Sequence, residues 1–99
     1  MNKITLPQQL TEFLDSLPPA AARRVLDAPI ERWRVGRYVD NSGRRCLLGH
    51  AEDWEILENG VRPKEPLFFT YPIGGLFDDL ADEYGLEPVV TKIQEYLNV

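Results

Sequence analysis

The sequence predicts a mostly helical α+β domain, with about five short helices and a small two-stranded antiparallel hairpin. Three observations carry this expectation. Apolar residues recur at helical spacing in several stretches separated by Pro or Gly. One stretch ending at Tyr38-Val39 favours strand and runs into a strong turn, Asp40-Asn41-Ser42-Gly43. No repeat, low-complexity tract or linker divides the 99 residues, so residues 1–99 read as a single domain.

Thr5-Leu6-Pro7-Gln8 has the form of a capping box, and Leu6, Leu10, Phe13, Leu14 and Leu17 follow as the stripe of a helix over 6–17. Pro18-Pro19 ends it, and Pro19 suits the first turn of a second helix through Leu26. Short strands are expected at 33–39 and 44–47; the alternative starts a helix directly after Gly43. Helical spacing returns with Leu47, Ala51, Trp54 and Leu57, and Gly60 is placed to end that helix. A proline-marked loop over 60–73 contains Leu67-Phe68-Phe69, too bulky to leave in water and expected to pack down. Leu76, Phe77, Leu80, Ala81 and Tyr84 make a helix ended by Gly85. Pro88 opens the last one, with Val89, Val90, Ile93 and Leu97 inward.

No apolar run approaches the roughly 18 residues of a membrane span. The opening stretch lacks the apolar segment of a secretory leader, and a single cysteine forms no internal disulfide, so a cytoplasmic protein is expected. The net charge of −5 is uneven: residues 1–50 carry +3 and residues 51–99 carry −8. Either the halves attract each other within one fold, or the acidic half faces a basic partner. The overall sign argues against general nucleic-acid binding.

Three groups of residues could carry chemistry. Cys46 and His50 are the only cysteine and histidine, four positions apart. At a helix start beside Arg44 and Arg45, the thiol could be a nucleophile with His50 as base. The structural alternative is a small buried thiol, with His50 capping a turn or lying at the surface. Two ligands do not make a zinc site, and no metal or cofactor is expected.

Asp78, Asp79, Asp82 and Glu83 occupy adjoining turns of the fourth helix. Their spacing imitates a magnesium–diphosphate motif, but the chain lacks the length and the second acidic motif of such enzymes. They read as a solvated face or as a docking surface for a basic protein, with Phe68 and Phe69 as apolar neighbours. Arg32, Arg34, Arg37, Arg44 and Arg45 interleave with Trp33 and Tyr38. That pattern suits single-stranded nucleic acid, a protein contact, or pairing with the chain's own acids.

The segment Tyr38-x-Asp40-x-x-Gly43-x-x-Cys46-x-x-Gly49 resembles a motif of small uncharacterised bacterial and phage proteins, in which an aromatic and a turn precede Gly-x-x-Cys-Leu-x-Gly and a helix. The resemblance is confined to residues 38–49 and transfers no activity. It implies that Cys46 and Gly49 hold a hairpin against a helix, where small residues permit close approach.

The expected function is a non-catalytic acidic protein-binding modulator. An inhibitor, antitoxin or immunity protein of phage or defence systems fits the size and charge. The alternatives are a thiol-dependent enzyme or redox sensor built on Cys46 and His50, and nucleic-acid binding through the arginines.

Overall fold

The computed structural model describes residues 3–68 and 72–98. Among them are five α-helices and one two-stranded antiparallel hairpin, the predicted class. The order is α1 (Gln8–Asp15), α2 (Pro19–Asp27), α3 (Leu47–Ala51), β1 (Trp54–Leu57), β2 (Gly60–Pro63), α4 (Ile73–Tyr84) and α5 (Leu86–Leu97). A single turn of 3₁₀ helix, Ile30–Arg32, follows α2.

Each long helix buries the stripe its spacing marks: Leu10, Phe13 and Leu14 from α1, Val25 from α2, Ile73, Phe77 and Leu80 from α4, and Val89, Val90 and Ile93 from α5. Burying each such side chain contributes about 1.5–3 kcal/mol, which makes this one cluster the main source of stability. α4 and α5 pack together, with α1 against α4 and α2 against both α3 and α5.

The helix ends are closed by side chains from distant segments. Gln94 donates to the carbonyls of Val25 and Ala28 (3.0 and 2.9 Å) at the end of α2. Arg24 donates to those of His50 and Ala51 (3.2 and 2.8 Å) at the end of α3. Orphan carbonyls of buried helix ends need such partners. The expected capping box does not form: Pro7 is the N-cap of α1, with no side-chain cap, and its carbonyl takes the Leu10 and Thr11 N–H groups.

Two elements differ from expectation. Helix α3 stops at Ala51 because Asp53 adopts a left-handed φ of 52°, which Asp tolerates better than most residues. The chain then enters β1, where Trp54 pairs with Pro63 and Ile56 with Val61. Gly60, expected to end a helix, instead closes the hairpin turn with φ 142°, open only to glycine without strain.

The strands expected at 33–39 and 44–47 reduce to one parallel bridge, Trp33 to Arg45. The chain between them curls around Asp40. Its Oδ1 accepts the N–H groups of Ser42 and Arg44, both at 2.9 Å. Its Oδ2 accepts from Arg34 Nη1 (2.9 Å) and Arg44 Nε (3.1 Å). Four donors on one carboxylate close the segment into a loop and leave no ladder to extend.

That loop is fixed to the core by Trp33 and Gly49. The Trp33 ring lies 4.4 Å from His50 and 5.8 Å from Phe77, and its Nε1 donates to the Ala28 carbonyl at 2.9 Å. Gly49 sits under the Tyr38 carbonyl so closely that a Cβ there would collide with it, and would stand 2.7 Å from the Arg45 Cβ. A small residue at position 49 thus permits loop and helix to touch, and what rests on the helix is a loop rather than the expected hairpin.

Candidate functional site

Cys46 is the N-cap residue of α3, and both it and His50 are buried. Burial pushes the thiol pKa up, and the Asp78 carboxylate adds to this; the Gly49 and Leu48 N–H groups only partly offset them. A raised pKa leaves less thiolate at neutral pH, so the thiol is a poorer nucleophile. His50 is a weak base. Its Nε2 lies 3.1 Å from the Arg32 carbonyl, which can only accept, so Nε2 carries the proton. Burial lowers its pKa to about 4; the bond to Arg32 opposes this, and the charges of Arg45 and Arg32 lower it further. The bond joining the two residues is the helical one, His50 N–H to Cys46 carbonyl at 3.0 Å. A cavity of about 240 Å³ adjoins Cys46, lined also by Arg37, Tyr38, Gly74, Gly75 and Asp78.

The five arginines do not share one surface. Arg34 and Arg44 are spent on Asp40. Partial burial raises the Asp40 pKa, but the Arg44 N–H, the Arg34 guanidinium and the Ser42 N–H outweigh it and hold it at about 2. Arg45 reaches the Trp54 carbonyl (2.7 Å) and Asp53 (3.4 Å). Arg32 makes one long contact, to the Ser42 carbonyl at 3.4 Å, and Arg37 is exposed. Tyr38 stacks on Trp54 with ring centroids 3.8 Å apart. Pairing with the chain's own acids therefore accounts for three of the five.

The carboxylates of α4 are placed differently. Asp79, Asp82 and Glu83 are exposed, while Asp78 accepts the Gly36 N–H at 3.2 Å. That bond brings the Val35–Gly36 turn against the helix. Between them lies a groove of about 400 Å³, walled by Val35, Ala81 and Leu86 and bordered by Asp78, Asp79 and Asp82. Sequence reasoning marked the acids but missed Val35 and Leu86, which reach the groove only through the fold.

Leu67 is half-buried, its N–H held by Glu52 at 2.8 Å, whereas Phe68 is fully exposed rather than packed down. Phe69 lies outside the described residues. Among the described residues, no three His, Cys, Asp or Glu side chains gather to hold a metal ion, and no helix is long and apolar enough to cross a membrane. Comparison with protein-family models, curated proteins and solved structures gave no match.

Proposed function

We propose that this protein is a non-catalytic docking protein, a modulator that binds a basic segment of another protein on α4. The groove between Val35–Gly36 and α4 supports this reading. Its apolar wall (Val35, Ala81, Leu86) suits the methylene stem of a Lys or Arg, and its carboxylate border suits the charged head. Glu83 extends the acidic face, and the net charge of −5 favours encounter with a basic surface. An inhibitor, antitoxin or immunity role is the form such docking would take.

A synthetic amphipathic Lys/Leu peptide titrated into ¹⁵N-labelled protein tests the reading. Amide shifts should cluster at Val35, Asp79, Asp82 and Leu86, and added salt should weaken binding. The double variant Asp79→Lys/Asp82→Lys should fold normally and lose the interaction. Equal affinity for that variant, or shifts centred away from α4, would remove the proposal.

A further inference from the structure

The hairpin keeps three large apolar side chains in water, Ile56, Leu57 and Val61. β1 packs on α3, whereas every residue of β2 except Pro63 is exposed. A two-stranded hairpin gains little stability alone, and further strands are one remedy. We propose that the outer edge of β2 pairs antiparallel with β2 of a second copy of this chain, joining two hairpins into one four-stranded sheet.

Pro63 fixes which backbone groups face outward. It has no N–H, so its pairing with Trp54 is of the kind without direct hydrogen bonds; the neighbouring bond from the Lys64 N–H to the Asp53 carbonyl (3.2 Å) agrees. Alternation along the ladder then turns the N–H and C=O of Ile56 and of Val61 away from the hairpin, on opposite edges. The β1 edge is obstructed. Arg45 occupies the Trp54 carbonyl at 2.7 Å, and Tyr38 stacks on the Trp54 ring. Among the described residues, no group outside the hairpin bonds Val61 or Pro63, so β2 is the edge open to another strand.

The residues along this edge complement themselves. With Val61 opposite Val61 of the second copy, Glu58 lies across from Lys64, Asn59 from Pro63 and Gly60 from Arg62. Opposite charges therefore meet at both ends, and like charges meet nowhere. Glu58 and Lys64 are exposed, and neither side chain has an ion pair or hydrogen bond among the described residues. Arg62 stays with Glu55 at 3.3 Å, and the glycine facing it leaves room. The two Val61 side chains come side by side, each next to its own Ile56, the residue it faces across the hairpin. A foreign strand would have to supply this charge order, whereas a second copy already carries it.

A four-residue edge buries far less than the roughly 1,200 Å² of a stable interface, so the dimer is reversible and dissociates on dilution. The inference is independent of docking on α4.

Sedimentation equilibrium on the full chain, from micromolar to millimolar, should show the average mass rise from one chain toward two. In ¹⁵N spectra over the same range, the amides of Asn59 and Val61 should shift and those of α4 should not. Glu58→Lys and Lys64→Glu each set like charges across both ends and should weaken self-association at least tenfold. Both positions are exposed, so both variants should fold. Mixed in equal amounts, the two single variants regain opposite charges at both ends and should associate like wild type. A chain that stays monomeric at millimolar concentration, single variants that associate like wild type, or a mixture no better than its components would overturn the proposal. So would a monomeric chain whose Val61 amide shifts only with an unrelated alternating Thr/Val peptide, which would assign the edge to a foreign strand.

Discussion

The arginine-rich loop and the acidic face of α4 carry opposite charge, and they are built in opposite ways. In the loop, Asp40 is buried, gathers four donors and draws Arg34 and Arg44 onto itself. On α4, Asp79, Asp82 and Glu83 stand exposed, and only Asp78 is tied down, to a backbone N–H. Buried charge must be paired to be tolerated, whereas exposed charge adds little to stability. The charges of Asp40, Arg34 and Arg44 therefore serve the fold, whereas those of Asp79, Asp82 and Glu83 stay in solvent.

The largest effect that could break this contrast is at Gly49, where the loop rests on α3. Gly49→Ala forces a Cβ into the Tyr38 carbonyl and should cost about 3–5 kcal/mol, a large share of the stability of a small domain. Urea denaturation would read it, and a midpoint equal to wild type would show that the loop does not pack on α3 as described.

Next in size is the pH response of His50, beneath the same loop. An unfolded histidine titrates near 6.5 and the folded one near 4, so between these values the unfolded chain binds more protons. Stability is then full above pH 6.5 and falls as pH drops toward 4, by up to about 3 kcal/mol. His50→Gln should flatten the profile between pH 6.5 and 4.5. A slope that survives the substitution would assign the effect to another group.

Much of this was legible beforehand. The bodies of α1, α2, α4 and α5 follow from apolar spacing and from the prolines and glycines between them. The hairpin lies later in the chain than expected because Leu47, Ala51, Trp54 and Leu57 satisfy a helical period while Trp54 and Ile56 also alternate. Asn59-Gly60 is a hairpin signal, but Gly60 equally suits the end of a helix. The Asp40 turn was visible in Asp40-Asn41-Ser42-Gly43, but not its capture of two arginines. The α4 acids were visible as a polar face, whereas the groove was not: Gly36 and Asp78 meet across 42 residues. Arg24 and His50 likewise meet only through the fold.

The most direct test sets the two regions side by side in urea at pH 7. Asp40→Asn removes one charge from the loop; Asp79→Asn/Asp82→Asn/Glu83→Gln removes three from α4. The single variant should show a clear fall in midpoint, because Arg34 and Arg44 lose their charged partner. The triple variant should change by no more than about 0.5 kcal/mol. A triple variant as destabilised as the single one, or an Asp40→Asn protein as stable as wild type, would contradict this contrast.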